Sequence, residues 1–434
     1  MPTTATIEIH HSGRPRIVIV GGGFGGVRAA KALTRAPVDV FIIDRSNHHL
    51  FQPLLYQVAT STLAPHHIAS PIRRIFRSHP NVMVFQGEVT SIDPAKKEFS
   101  VKDAPAGLRF DYLVLATGVG QTYFGHDEFA AHAPGLKSLA DALLARNKIL
   151  KSFELCERQL EPAKHPELIT FVLVGAGPTG VEMAGAIAEM ARNTLAAEYR
   201  RYDPRSLRVL LVEAGPRILP TFPEELSRKA QARLERVGVE VRTNSSVDLV
   251  DADGVVIKGE RVPSRCVFWT AGVKATPLLD TLSVKADRAG RLLVGADCSI
   301  PGHPDIFVIG DAASFTQLDK PLPGVAQVAI QQGTYVGKLI AGRVAGRPSP
   351  PPFKYFDKGN MATIGRGYAI LDGFGLRMAG MMASMIWAVI HVQFLALNTM
   401  RFATIMQWVL SALTNQRSAR LIIETREGGN GAIG

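Results

Sequence analysis

Over the first 350 positions, apolar residues come in short runs that stop at glycine clusters or at an acidic residue. Arg16–Val20 is rich in β-branched residues and ends in Gly21-Gly22-Gly23-Phe24-Gly25-Gly26. Val27–Thr34 follows with helical spacing, and Val38–Ile43 is a second apolar run that closes at Asp44. This order predicts strand, turn, helix and strand. Phe110–Ala116 reads as another buried strand, closing on Thr117-Gly118. The plan then recurs. Leu168–Val174 runs into Gly175-Ala176-Gly177-Pro178-Thr179-Gly180, and a helix is expected from Val181 to about Ala197. Leu207–Val212 ends at Glu213, and Val267–Trp269 leads into Thr270-Ala271-Gly272. The two copies are offset by 154 positions, from Gly21 to Gly175, and such internal duplication is a fold-level signal. A short strand, Ile306–Ile309, meets Gly310-Asp311-Ala312-Ala313 before a helix expected over Gln327–Ala341. Four prolines between Pro348 and Pro352 mark a linker.

Beyond the linker the pattern changes. Met378–Met400 contains no Lys, Arg, Asp or Glu, and neither does Phe402–Gln416. As one helix, the first stretch reaches roughly 35 Å, enough to cross a bilayer. However, Ser384, His391 and Asn398 recur every seven residues and share one helix face. Met381, Met385, Trp387, Ile390 and Phe394 occupy the others. The expectation is therefore an amphipathic helix lying in the membrane interface rather than a span. Phe402–Leu413, with Trp408, is a second apolar stretch flanked by Arg401, Arg417 and Arg420. Those arginines are expected to snorkel toward lipid phosphates, each contributing about 1 kcal/mol at an anionic surface.

At 434 residues the chain is long enough for two or three domains. With 46% hydrophobic and 20% charged residues it is globular, not disordered. The net charge of +11 implies an anionic partner. From Ala341 to Gly434 there are ten basic and four acidic residues, so the surplus leans toward the apolar tail. No basic run carries interleaved aromatics, which leaves no nucleic-acid groove. Cys156, Cys266 and Cys298 are too few and too scattered for a disulfide framework, a redox pair or a zinc site. They read as small buried hydrophobes in a reducing compartment. The first thirteen residues carry no apolar run, and Ile17–Val20 feeds straight into glycine, so no signal peptide is expected. His48-His49 and His66-His67 are adjacent pairs whose side chains are expected to diverge, so no metal site is expected.

The chemistry sits in the glycine loops. Gly21, Gly23 and Gly26 match GxGxxG: a tight turn, close approach of backbone to a pyrophosphate, and close packing of helix on sheet. The helix N-terminus adds free N–H groups and partial positive charge. Asp44, 18 residues past Gly26, is placed to bond a ribose diol. Gly175, Gly177 and Gly180 repeat the pattern, with Glu213 as the acid. Glu213 would accept from a 2′-hydroxyl and repel a 2′-phosphate, favouring NADH, whereas the nearby Arg217 could accommodate that phosphate. Two cradles imply two dinucleotides, most economically a resident flavin and a diffusing nicotinamide. Gln327 and Gln331, four residues apart, share one helix face; spacing alone favours surface or inter-domain glutamines.

With these features the sequence resembles the two-dinucleotide-domain flavoproteins and, among them, the type II NADH:quinone oxidoreductases. The resemblance runs from about Arg16 to Ile423, through IVIVGGGFGG, FQPLLYQVAT, FDYLVLATG, LVGAGPTGVEMAGAIAE, LLVEAGPRILP, FWTAGV, IFVIGDAA, AQVAIQQG, NMATIGRGYAI and the C-terminal W–H–NTMR–W–RSARLI spacing. It implies an α/β fold of two Rossmann-like dinucleotide-binding domains, glutathione-reductase-like, with a C-terminal amphipathic membrane anchor. The implied boundaries are 14–160 and 295–347 for the FAD domain, 165–290 for the NADH domain and 353–434 for the anchor. Non-covalent FAD is expected on Gly21, Gly23, Phe24, Gly25, Gly26, Asp44, Gln52, Val89, Thr117, Gly118, Asp311, Ala326 and Gln327. NADH is expected on Gly175, Gly177, Pro178, Thr179, Gly180, Glu182, Glu213, Ala271 and Gly272. Glu182, read as lying on the first helical turn, is implied to sit between nicotinamide and flavin; Gln327 and Gln331 are implied to dock quinone. The expected enzyme oxidises NADH and reduces a membrane quinone without pumping protons. It is expected on the cytoplasmic face of the cell membrane, against anionic lipid, and as a possible homodimer. Two other readings are a soluble NADH-dependent reductase of a small electron carrier and a non-enzymatic flavoprotein.

Overall fold

The structure is a computed structural model that describes residues 13–104 and 107–423. The N-terminal end read as lacking an apolar run and the last part of the expected 353–434 region lie outside the described residues. The chain divides into two compact units. One comprises 13–50, 69–120 and 273–358; the other comprises 51–68, 121–272 and 359–423.

The first unit is built on a six-stranded sheet. Its order is Ser299–Ile300, His303–Val308, Tyr112–Leu115, Arg16–Val20, Asp39–Asp44 and Val82–Gln86. All neighbours are parallel except the first pair. A parallel sheet covered on both faces needs near-continuous apolar strands, and Ile17, Val18, Ile19, Val40, Phe41 and Ile42 are all fully buried. One face carries the helices Phe24–Leu33 and Ala326–Val344, which cross with their backbones almost touching. A Cβ at Gly333 would sit 2.2 Å from the Gly25 carbonyl oxygen, and one at Gly337 2.6 Å from that of Ala29.

The second unit repeats the centre of this plan. Val239–Arg242, Arg208–Val212, Thr170–Val174 and Cys266–Trp269 form a parallel sheet in that order. It matches Val82–Gln86, Asp39–Asp44, Arg16–Val20 and Tyr112–Leu115 strand for strand. The duplication goes further than the glycine loops. Each copy inserts a three-stranded antiparallel flap before its last strand: Val89–Asp93, Glu98–Val101 and Leu108–Arg109 in one, Val247–Asp251, Gly254–Ile257 and Glu260–Pro263 in the other.

Several elements differ from expectation. The 20-residue helix Leu139–Arg158 belongs to the second unit, inside the segment read as 14–160. Its apolar face, with Ala142, Ala145, Ile149 and Phe153, is buried there, and the Phe153 ring meets Phe171 at 5.7 Å. The helix after the second loop runs Pro178–Glu189 and then widens into a π-helical turn, Met190–Leu195. Met378–Met400 is not one helix. Its first residues close the strand Leu376–Gly380 in a sheet with Asn360–Thr363 and Ala369–Gly373. Two helices follow, Met381–Phe394 and Asn398–Thr414. Among the described residues no helix is long and apolar enough to cross a membrane.

The glycine crossing generates a paired prediction. Gly333→Val must push the helices apart and is expected to cost about 3 kcal/mol. Gly342→Ala, on the same helix with no neighbouring atom within 4 Å of its Cβ, is expected to be neutral or to stabilise by up to about 1 kcal/mol. Thermal unfolding checks both; equal Tm values would contradict the crossing.

Candidate active site

Each glycine loop is held by the same pair of hydrogen bonds. Asp44 Oδ2 accepts from the Gly22 backbone N–H at 2.6 Å, and Oδ1 accepts from Ser46 N–H at 2.6 Å. Glu213 Oε2 accepts from Ala176 N–H at 2.7 Å, and Oε1 from Gly215 N–H at 2.8 Å. The acid that ends the second strand therefore pins the loop that ends the first. Gly21 and Gly175 have φ of +106° and +100°. A Cβ at Gly26 would lie 1.9 Å from the Gly21 carbonyl oxygen, and one at Gly180 2.0 Å from that of Gly175. Only glycine fits these positions. Gly23 and Gly177 are different: each is the N-cap of its helix, and a Cβ there would point into open space. That space, faced by first-turn N–H groups of Phe24–Leu33 and Pro178–Glu189, fits a pyrophosphate. Both cradles thus fit a dinucleotide.

Secondary features repeat as well. Gly118 and Gly272, closing the two echoing Thr/Ala-Gly turns, have φ of +64° and +71°. Ala271 packs against Gly175 so closely that a Cβ there would meet it at 2.7 Å. In the first unit His49 Nδ1 bonds the Gly22 carbonyl at 2.9 Å, and its ring meets Phe24 edge-on at 5.4 Å. Burial holds His49 below the usual histidine range, so it is neutral. The His66 and His67 rings do not diverge; their centroids are 4.2 Å apart. In the second unit Arg217 donates to the Phe222 and Pro220 carbonyls at 2.7 and 2.8 Å. Its guanidinium braces its own loop.

The remaining candidates fall into two groups. In the first unit, Asp311 sits on the single turn Gly310–Ala312, and Gly324 leaves room for its carboxyl group. Val89 is buried at the start of a flap strand, and Thr117 lies 3.4 Å from the Thr276 hydroxyl. Gln332, which spacing did not single out, accepts from Gly310 N–H at 2.7 Å and fixes the Asp311 turn. Ala326 opens the helix that carries Gln327 and Gln331. Those two do share a face, but they grip backbone: Gln327 Oε1 accepts from Lys358 N–H at 3.2 Å. Gln331 accepts from Phe356 N–H at 3.0 Å and donates to its carbonyl at 2.9 Å. Gln331 thus spends its carbonyl and one of its two N–H donors on Phe356. In the second unit, Gln52 donates to the Lys137 carbonyl at 2.8 Å.

Glu182 is the buried acid of the second unit, only 8% exposed. It is the fifth residue of its helix, beyond the first turn, so the helix dipole does not account for it. Its Oε1 accepts from Thr363 N–H at 3.2 Å. Burial pushes its pKa up to about 8, against the opposing pull of the Thr363 bonds. The cysteines are buried and free; burial pushes Cys156 up to about 11 and Cys266 up to about 12, so neither is a thiolate nucleophile.

The C-terminal arginines are turned inward. Arg401 donates to the Gln393 and Leu395 carbonyls and closes the helix Met381–Phe394. Arg417, buried, donates to the Thr60 carbonyl at 2.7 Å. Arg420 pairs with Glu198. In place of the expected snorkelling, carbonyls at helix ends and turns bind Arg401 and Arg417, and the Glu198 carboxylate binds Arg420. Arg366 likewise caps Asn398–Thr414, reaching the Ser411 and Ala412 carbonyls and Asn415 Oδ1. The inner face of that helix holds Met400, Thr404 and Trp408. The outer face exposes Phe402, Ile405, Met406, Val409, Leu410 and Leu413.

Duplicated Rossmann-type units with matched loops define a two-dinucleotide oxidoreductase architecture. Residues 15–333 match the pyridine nucleotide-disulphide oxidoreductase family. The type II NADH:quinone oxidoreductase Ndh of Mycobacterium tuberculosis is 43% identical over 426 residues, 95% of this chain and 91% of the relative. The type II NADH:quinone oxidoreductase of Staphylococcus aureus is 29% identical over 88% of this chain and 95% of its own. The structure of NDH2 from Plasmodium falciparum in complex with NADH has the same fold, with a TM-score of 0.85 at 20% identity, covering 95% of this chain and 100% of that one. The chain belongs to the pyridine nucleotide-disulphide oxidoreductases and, among them, to the type II NADH:quinone oxidoreductases.

The raised pKa of Glu182 has a stability consequence. Between its ordinary value of 4.5 and about 8, the folded state keeps a proton that the unfolded state releases. Stability contributed by that proton is present below this window and lost as pH rises through it. Glu182→Gln, a neutral isostere, lacks this loss. The Tm of the wild type is therefore expected to fall relative to Glu182→Gln as pH is raised from about 5 to about 8; parallel Tm curves would contradict the buried protonated carboxyl.

Proposed function

We propose that the protein oxidises NADH and passes two electrons through non-covalent FAD to a membrane quinone, without proton pumping. The observation that carries this reading is the pair of matched cradles in a chain of this family. Gly21–Gly26, Asp44, Thr117, Gly118, Asp311 and Ala326 would hold FAD. When bound, FAD accepts hydride from a nicotinamide and gives two electrons to a quinone. Gly175–Gly180, Glu213, Ala271 and Gly272 bind NADH. A carboxylate at Glu213 would repel a 2′-phosphate, and Arg217 is committed to its own loop, so NADH is preferred over NADPH. Glu182 keeps a proton on its carboxyl near pH 7 and stands ready to supply it beside the nicotinamide cradle. Quinone docking is assigned to Gln327 and the Phe356–Lys358 segment that Gln331 holds in place. Hydride transfer needs no nucleophile from the chain; these residues position the reactants and exclude water.

The exposed apolar row on Asn398–Thr414 supports a peripheral seat on the cell membrane, and we place that seat on the cytoplasmic face. Met381, Met382, Met385 and Val389 are exposed on the preceding helix as well. The expected attachment is apolar burial more than arginine–phosphate contact, because the flanking arginines are spent on carbonyls and on Glu198.

Two outcomes test this reading. Glu213→Ala is expected to lower the kcat/KM ratio of NADH to NADPH at least tenfold, about 1.4 kcal/mol of discrimination; an unchanged ratio would remove Glu213 from the nucleotide site. Met406→Glu with Leu410→Glu is expected to release the protein from phosphatidylcholine vesicles in a flotation assay, while NADH oxidation with a soluble quinone analogue persists. Undiminished flotation would assign the apolar row another role.

A further inference from the structure

A run of hydrogen bonds in the second unit starts on the C-terminal helix and ends on Glu182. Trp408 Nε1 lies 2.7 Å from Gln57 Oε1, and Gln57 Nε2 lies 3.0 Å from the Tyr56 hydroxyl. That hydroxyl lies 2.8 Å from Thr363 Oγ1. Thr363 gives its backbone N–H to Glu182 at 3.2 Å, and its hydroxyl lies close enough to the same carboxyl group to pull its pKa down. Tyr56, Gln57, Thr363 and Glu182 are all buried, so water does not compete for these bonds.

Donor chemistry fixes the direction of the run. An indole N–H can only donate, so Gln57 turns its carbonyl to Trp408 and its NH2 group to Tyr56. That NH2 can only donate in turn, so the Tyr56 oxygen accepts; among the described residues the acceptor left for its single proton is Thr363 Oγ1. The Thr363 hydroxyl proton is then aimed at Glu182. Side chains that merely satisfied one another would need no common direction. Here a donor-only group at one end and a titratable acceptor at the other impose one, and every bond favours negative charge on Glu182.

The starting residue is set by how the C-terminal helix sits. Trp408 packs against Trp387 at 5.6 Å, which stacks on His391 at 4.2 Å. Burial holds His391 at about 4, so it stays neutral. The charged groups packed around the run are Glu189, Arg233, Arg366 and Arg417. Each is engaged elsewhere: Glu189 with Arg366 N–H and, at 3.9 Å, Arg233; Arg366 with the helix end; Arg417 with Thr60. No formal charge interrupts the path from Trp408 to Glu182.

We propose that Trp408, Gln57, Tyr56 and Thr363 are positioning residues for Glu182, tying the proton on that carboxyl group to the seating of the C-terminal helix. This rests on the reading of Glu182 as a group of the nicotinamide site. When the helix is seated, donation runs toward the carboxyl group and eases its ionisation. When the helix tilts and Trp408 leaves Gln57, the amide is free to flip, the run loses its direction, and Glu182 holds its proton more tightly. An element with an exposed apolar face is thereby coupled to the proton beside the cradle.

The test is an infrared pH titration of the holoenzyme, following the protonated-carboxyl C=O band that Glu182→Gln abolishes. Thr363→Val is expected to move its midpoint up by about one pH unit, the size of one charge-assisted hydrogen bond. Trp408→Phe keeps the ring packing but removes the N–H, and Tyr56→Phe removes the relay hydroxyl. Both are expected to move the midpoint up by a few tenths of a unit, and Thr363→Ser is expected to restore it. Tyr56→Phe carries the test alone if Trp408→Phe loosens the helix. A band that titrates identically in Thr363→Val and Tyr56→Phe overturns the proposal and leaves the role of Glu182 intact. Absence of any band lost in Glu182→Gln overturns the assignment of a protonated carboxyl, and the proposal with it. Unchanged NADH-driven flavin reduction in Glu182→Gln would instead defeat the reading on which the proposal rests.

Discussion

A carboxyl group at the end of one strand accepting the N–H of the loop after its neighbour is the contact on which the rest depends. Asp44 makes it to Gly22 and Glu213 to Ala176. The bond sets the loop at a left-handed turn that only glycine tolerates cheaply, at Gly21 and Gly175. It thereby brings the first turn of a helix beneath an open space at Gly23 and Gly177. Lost there, the N–H groups that answer a pyrophosphate would scatter, and neither the parallel strands below nor the flaps beside them could restore them. The same solution appears twice in one chain, with an Asp in one copy and a Glu in the other.

The second constraint is the docking of the C-terminal helix. Its inner face is polar where it packs on the rest of its own unit, through Thr404 and Trp408, and its end is capped by Arg366. Thr194, in the π-helical turn beyond the nucleotide helix, donates to the Asn415 carbonyl. A helix with an almost wholly apolar outer face would slide or aggregate if it rested on apolar contacts alone. Directional bonds on the inner side fix its register and leave the apolar outer side exposed. The arginines follow the same logic: a guanidinium near unsatisfied carbonyls is worth more as a cap than as a snorkel.

What could be read from residue order alone divides along physical lines. The loops, their acids and the duplication were legible because left-handed turns and close backbone approach demand glycine, whatever the rest of the chain does. The flaps were not: strands such as Val89–Asp93 are short and mostly polar, with no run to mark them. The helix Leu139–Arg158 was missed despite a Ser138/Asp141 capping box that spelled its start. Absence of charge marked 378–400 as special but could not separate strand from helix, and Gly380 at φ +108° makes that switch. The four-residue spacing of Gln327 and Gln331 correctly placed them on one face, but their partners lie 25 to 31 positions away. Glu182 was legible only through resemblance; its burial, and the Thr363 bonds that oppose it, come from the fold.

The central claim is that one cradle keeps a flavin and the other takes up NADH, and it is tested by giving each cradle its own lesion. Anaerobic NADH should bleach the yellow absorbance of the purified protein, and a soluble quinone analogue should restore it. Gly180→Val should leave the protein yellow but unbleached by NADH, and Gly26→Val should leave it colourless. A wild-type protein that stays colourless when supplied with FAD, or a Gly180→Val variant that loses the flavin while Gly26→Val keeps it, would contradict the account.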